Sequence, residues 1–508
     1  MNTYKYILLF MGIALMGCSD LEESPIALLD PNGYFQTTED LQAGIDGSLT
    51  HAINEEIWGR KLSIALMLRS DMVNLQSSQT RRVEMNTHTI TGDNEMVYDP
   101  WRRIYLGIAA ANTVIQGASG VDEEESVLNP IVAQAYFARA FYYFHLVRLF
   151  GDVPYFDAPI TDVAAGKTVS CTPEAEVYAN IISDLEFAEQ WLPNTVSTRA
   201  KPSKAAAKSY LALVYLTMAG TSDASYFQMA YDKAKEVITN KGTYDVDLDP
   251  DFQTLFNANL IDASKEPIFA LDYNNVEASD NAYDQTAPMT GVRGDDDDQG
   301  WSVAVPTMAV YDSFDPDDYR TRVSFQTEAT IGGTTVDYTN FTISGHADAA
   351  NQPYIAKYTR YPGPYARGNK RATSHNYSMM RYAEVLLIAA EAGVEIGAAD
   401  AIDFLNEVRG RARNGGNSTN GGYVEETVPA SSVPADLTSI TVDDVLEERR
   451  IELAFEGKRW YDIKRRQLGD VVFSASGYEG AKPDWNASED YDTPIPQDEI
   501  DRNPNLTN

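Results

Sequence analysis

Trp301 has the setting that speaks first for chemistry. It follows Asp295 to Asp298, Gln299 and Gly300, a polar run that predicts a solvent-facing loop and an indole outside the core. An exposed tryptophan offers a large stacking area at low entropy cost, and Trp, Tyr and Arg supply most binding hot spots. A second patch, Asp71 to Arg82, gathers Asn74, Gln76, Gln79, Arg81 and Arg82, whose amide and guanidinium groups can bond in pairs. Neutralisation of an acidic surface explains the two adjacent arginines equally well. Trp58 is a further candidate for this patch, whereas the periodicity around Trp101 places that residue in the core. Cys18 and Cys171 are the only cysteines, and His51, His88, His145, His346 and His375 never fall at helical ligand spacing, so neither a metal nor another cofactor is expected. The four aspartates carry oxygens that suit calcium, but solvation is the simpler reading.

Acidic residues dominate the charge, with 75 Asp+Glu against 40 Lys+Arg and a net charge of −35. Such a surface repels phosphates and excludes nucleic acid as a natural partner. Its ordinary consequence is solubility. A glycoside hydrolase needs two carboxylates about 5–9.5 Å apart. Sequence alone leaves that alternative open, although no hydrolase motif occurs.

The N-terminus sets the compartment. Lys5 gives a short positive region, Tyr6 to Met16 is apolar, and Leu15-Met16-Gly17-Cys18 ends the run. This is shorter than the ~20 apolar residues of a spanning helix and has the form of a secretory signal peptide over 1–17. A cysteine after a small residue resembles the bacterial lipoprotein box, which makes Cys18 the expected acylation site. Multiple acyl chains anchor stably, at about 0.8 kcal/mol per buried CH2. Ser19, Asp20, Glu22 and Glu23 follow, similar to the acidic signal that sends such lipoproteins to the outer leaflet.

The elements that position these groups are mainly helical. Residues 18–36 read as a tether broken by Pro25, Pro31 and Gly33. Thr37 or Thr38 is expected to cap a helix from Glu39 to Ile53. Apolar residues recur with helical period from Trp101 to Gln116, and an aromatic-rich core helix is expected from Ile131 to Phe150, stopped by Gly151. Further helices are expected over Glu174 to Trp191, Ser203 to Ala219, Tyr226 to Thr239, Met379 to Ile396 and Ala399 to Arg413. Helix pairs with alanines at close-contact positions look like tetratricopeptide units, which bury their apolar faces only by stacking. Between 243 and 375 the texture turns to Gly, Asn, Asp, Thr and Tyr, with short strand-like runs such as Pro267 to Tyr273. The expected organisation is a helical-repeat region over 37–242, a loop-rich ligand-binding insertion over 243–375, and a second helical region over 376–508.

The C-terminal region carries a specific resemblance. Val445 to Arg466 reads VLEERRIELAFEGKRWYDIKRR. Upstream stand Arg381-Tyr382-Ala383-Glu384 with LLIAAEA, then Leu405 to Arg409 and Arg411-Ala412. Arg139, Phe150-Gly151-Asp152-Val153-Pro154, Ala111-Asn112 and the ending from Pro494 to Leu506 agree in order and spacing. Together these resemble the SusD/RagB family of Bacteroidetes nutrient-uptake lipoproteins, over essentially all of the chain after the signal peptide. Helical spacing predicts ion pairs Glu447–Arg450 and Arg449–Glu452, a helix end at Gly457, and a partly buried ionic girder around Glu456, Arg459 and Asp462 rather than a catalytic centre.

The resemblance implies a non-enzymatic protein with a tetratricopeptide-like solenoid and a loop-rich insertion. It implies a lipid-anchored lid on the outer membrane, facing the exterior, which captures an oligosaccharide and delivers it to a TonB-dependent (SusC-like) transporter. It also implies site residues. Gly300-Trp301-Ser302 is similar to the place of a sugar-stacking tryptophan, Tyr283 matches another aromatic position more loosely, and the loop holding Asn74, Arg81 and Arg82 faces the same site in family members. Peptide uptake within the same family, and a repeat scaffold for partner proteins, remain alternatives.

Overall fold

The structure is a computed structural model that describes residues 34–76, 79–221, 223–273, 283–296, 300–344, 349–364, 372–418 and 425–506. Cys18, the signal peptide and most of the expected tether lie outside the described residues, as do Asp297, Asp298 and Gln299.

Twelve helices carry the argument: α1 (Thr38–Thr50), α2 (Lys61–Leu68), α3 (Thr80–Thr87), α4 (Glu95–Gly117), α5 (Glu125–Phe150), α6 (Glu174–Trp191), α7 (Lys204–Thr221), α8 (Tyr226–Thr239), α9 (Tyr382–Ile396), α10 (Ala401–Ala412), α11 (Val442–Glu452) and α12 (Arg459–Arg465). Their ends follow local chemistry. Thr37 and Asp40 form a reciprocal capping box at α1, and the Asn94 side chain accepts from the Met96 N–H at 2.8 Å to start α4. Gly151 stops α5 at φ +70°, as expected. Gly397 at φ +73° closes α9 in the left-handed conformation that glycine adopts without penalty.

Successive helices pack as a stack: α4 on α5, α5 on α6, α6 on α7, and α7 on α8. The chain then leaves the stack and returns far downstream, where α9 packs on α8 and α10 on α9. This is a helical-repeat fold of tetratricopeptide type. The aromatic face of α5 is its centre, with Phe137, Phe141, Tyr142, Tyr143 and Phe144 all buried. Gly107 of α4 sits so close to this helix that an added Cβ would lie 2.4 Å from the Tyr142 ring. Trp101 is core, as its periodicity predicted.

Strands are short and paired in twos. Among those described, β1 (Asn74–Leu75) pairs with β3 (Ala304–Val305), and β2 (Pro267–Leu271) pairs antiparallel with β4 (Tyr377–Arg381). The second pairing corrects one expectation. Residues 379–381, read as the start of a helix, are strand, because the fully buried run Pro267–Leu271 supplies a ladder that overrides helical propensity.

The C-terminal motif forms an ionic girder, but not with the expected partners throughout. Glu447 and Arg450 do pair, at 2.8 Å. Arg449 instead turns to Asp462 at 2.9 Å, and Glu452 faces Arg381 at 2.6 Å, Arg320 at 2.9 Å, and Arg411. The helix ends at Glu452 rather than at Gly457, which occupies the next turn at φ +69°. Long-range charges, invisible to helical spacing, outcompete the local pair.

Candidate functional site

The loops carrying the candidate residues meet at one place. Asn74 lies opposite Val305 and Leu75 opposite Ala304 in the β1–β3 ladder, which continues as the Gln76 N–H donates to the Val303 carbonyl at 3.0 Å. On the other side of 301–303 runs the short helix Thr286–Thr290. The Trp301 N–H donates to the Pro288 carbonyl at 2.6 Å, that of Val303 to Met289 at 3.0 Å, and that of Ser302 to Gly291 at 3.0 Å. The segment from Trp301 to Val305 is thus held between two backbones. The Trp301 side chain is half-buried, with one part resting on the main core.

Two residues flanking Trp301 explain how it is fixed. A Cβ on Gly300 would lie 2.1 Å from the Gly291 backbone, so only glycine allows that approach. Ser302 takes φ +51°, a conformation that costs a non-glycine residue roughly 1–2 kcal/mol. Its hydroxyl is fully buried, accepting the Arg293 N–H at 2.9 Å and the Tyr354 hydroxyl at 2.9 Å. Nothing in the residue types around Ser302 announced this role. The glycine beside a tryptophan was the available signal.

Tyr283 lies beneath the surface. Its hydroxyl donates to Glu55 Oε2 at 2.6 Å, and Arg60 reaches both Glu55 at 3.0 Å and Gln285 Oε1 at 3.0 Å. The Gln285 N–H donates to the Gly59 carbonyl at 2.7 Å, so the Tyr283 segment is stitched to the turn before α2. Trp58, in that same turn, is fully buried against Phe141 and His145 and does not join the surface patch. Its anchor is α5, distant in sequence.

The two arginines part company. Arg82 is buried on α3 and reaches Met289 Sδ at 3.7 Å. Burial, with Arg81 and Arg60 nearby, lowers its pKa to about 10. Arg81 is partly exposed, pairs with Glu95 and donates to Gln79 Oε1 at 2.8 Å. It lines an open groove of about 590 Å³ that also includes Glu84, Asp93 and Asn94. Asp295, expected in solvent, is buried and accepts from Gln326 Nε2 at 2.9 Å, while Asp296 accepts the N–H groups of Gly332 and Gly333. These two aspartates cap neighbouring polar groups. No cluster of metal ligands occurs among the described residues.

Comparison with known proteins fits this architecture. The SusD family model matches residues 335–508, and a second model, described as starch-binding associating with outer membrane, matches 29–216. SusD-like protein P2 of Formosa agariphila is 46% identical over all of this chain and 99% of its own length. The chain belongs to the SusD family. Among solved SusD-type structures, a homologue from Bacteroides thetaiotaomicron superposes with a TM-score of 0.79 at 20% identity, covering 94% of this chain and 97% of its own. A laminarin-binding SusD-like protein superposes with a TM-score of 0.74 at 21% identity, covering 93% and 99%. At these identities the likeness is one of fold. No helix among the described residues is long and apolar enough to cross a membrane, and the SusD motifs at the C-terminus are the buried girder rather than a site facing solvent.

Proposed function

We propose that this protein is a non-enzymatic, glycan-binding lipoprotein of the outer membrane, anchored through Cys18 with its body outside the cell. It captures oligosaccharides at the Trp301 loop and delivers them to a TonB-dependent, SusC-like transporter. One observation carries the binding reading: a partly exposed tryptophan on a segment held between two backbones, beside the strand that carries Asn74. Sugars offer apolar C–H faces to such a ring and hydroxyls to such an amide. Rigidity matters because an immobile platform loses little entropy when the ligand arrives. The family match and the starch and laminarin named for its relatives support the ligand class.

The test is affinity electrophoresis of the purified protein through gels containing laminarin or starch, with reducing ends assayed in parallel. Retardation without release of reducing ends is expected. Sustained release that follows the protein through purification would replace this reading with a hydrolase, and retention by peptides alone would replace the ligand class.

A further inference from the structure

Asn74 can meet a ligand in two ways, through its carbonyl oxygen or through its NH2 group, and the surrounding residues decide which. Lys482 reaches Asn86 at both its backbone carbonyl, at 2.7 Å, and its side-chain Oδ1, at 3.1 Å. An ammonium only donates, so the Asn86 oxygen must face Lys482 and its NH2 group must face the other way. There it donates to Asn74 Oδ1 at 3.0 Å. The Leu75 N–H donates to the same oxygen at 2.7 Å. Asn74 Oδ1 therefore receives two donors, and no hydrogen bond from Asn74 Nδ2 occurs among the described residues.

The source of this polarity is remote in sequence. Lys482 is nearly buried, paired with the more deeply buried Glu479 at 3.0 Å. Its segment also holds the chain just past β3, since the Thr307 hydroxyl donates to the Tyr478 carbonyl at 3.0 Å. A C-terminal turn thus supports Asn74 of β1 through Lys482 and Asn86, and Thr307, two residues past β3, through Tyr478.

We infer that Lys482 and Asn86 are positioning residues that orient the Asn74 carboxamide so that it presents its NH2 group to the ligand, selecting a hydrogen-bond acceptor, such as a sugar hydroxyl or ring oxygen, at that point. The inference rests on the glycan-binding reading of the Trp301 loop.

Asn86→Asp is the sharpest test, because it keeps the size and the Lys482 contact while replacing the donor toward Asn74 by an acceptor. The intact chain, purified in detergent, is run through gels containing laminarin or starch. Asn86→Asp is expected to weaken retention at least tenfold with an unchanged melting temperature. Once Asn74→Ala is present, Asn86→Asp is expected to add no further loss. Wild-type retention by Asn86→Asp while Trp301→Ala loses binding overturns the positioning role and leaves the glycan site standing, as does an equal loss in the Asn74→Ala background. Failure of the wild-type protein to bind either glycan, or wild-type retention by Trp301→Ala, overturns the site reading and this inference with it. A ligand-free measurement covers the case in which Asn86→Asp does not fold. In protein labelled with 15N-asparagine, the Asn86 side-chain NH2 should exchange slowly with water and that of Asn74 quickly, and the reverse order refutes the proposed orientation.

Discussion

Arg381 and Glu452, separated by 71 positions, are joined twice: Nη1 meets the Glu452 carboxylate at 2.6 Å and Nη2 meets its backbone carbonyl at 2.7 Å. Arg381 is the last residue of β4, and Glu452 is the last residue of α11. The contact pins the strand that leads back into the helical stack to the helix of the C-terminal motif. Glu266, at the foot of β2, adds a third fixed point by bridging Arg381 at 2.8 Å and Arg411 at 2.7 Å.

Glu452→Gln is expected to destabilise the fold severely. Burial pushes the Glu452 pKa up, but Arg411, Arg381 and Arg320 outweigh it and hold the carboxyl well below its usual range. Removing the one carboxylate shared by three buried guanidiniums should cost about 3–5 kcal/mol, the scale of a broken buried pair. Denaturant melts of the variant and the wild type measure this. A loss below about 1 kcal/mol, the scale of exposed pairs, would contradict the girder.

Glu479 predicts a pH effect of opposite sense. Burial raises its pKa to about 8, against the opposing pull of Lys482 and with a small push from Asp71. The folded chain keeps this proton between about 4.5 and 8, where the unfolded chain has lost it. The stability it contributes is complete below about 4.5 and drains as pH rises through 8. Relative to Glu479→Gln, the wild type should therefore lose stability between pH 5 and pH 9. A constant difference between the two proteins across that interval would refute it.

Trp301→Ala should separate binding from folding. A stacking indole of hot-spot strength contributes roughly 2 kcal/mol, about thirtyfold in affinity. Because the side chain is only half-buried, the loss of stability should fall short of the about 3–5 kcal/mol of a fully buried aromatic. Titration calorimetry and thermal melting of one variant give both numbers. Unaltered affinity with a loss of stability in that full range would make Trp301 structural.

Cys18→Ala should release the protein from membranes in cells that lack the transporter, because acyl chains on Cys18 are the proposed anchor. Fractionation of such cells checks this, and retention of the unacylated chain would remove Cys18 as the anchor.

The helical stack was legible because its signals are local. Thr37, Gly151 and the period around Trp101 act within a turn or two of the chain. The girder was legible as a cluster of charges but not as pairs, since Glu452 chooses Arg320, Arg381 and Arg411 over Arg449 three residues away. The loop site shows the same division. Gly300 and Trp301 stand out by type, whereas Ser302 and Lys482 matter through a backbone angle and a long-range contact that no spacing encodes. Trp58, a candidate for the surface patch by type, is buried because its turn lies against α5, a contact no local spacing encodes.

The stack that α8 leaves and α9 rejoins also bears on how the chain is made. Synthesis proceeds from the N-terminus, and α1 to α8 emerge early; they pack on near neighbours at once, but α2 also packs on α12, and α7 on both α9 and α12. The face of α8 that packs on α9 has no partner until Ile396 has left the ribosome. The Arg381–Glu452 junction forms only after α11 has followed. Closing a long intervening segment is slow, and apolar surface left waiting invites misassociation. Premature termination between α8 and α9 should therefore yield a sticky fragment rather than a smaller stable protein, and the final turns of the girder complete the fold.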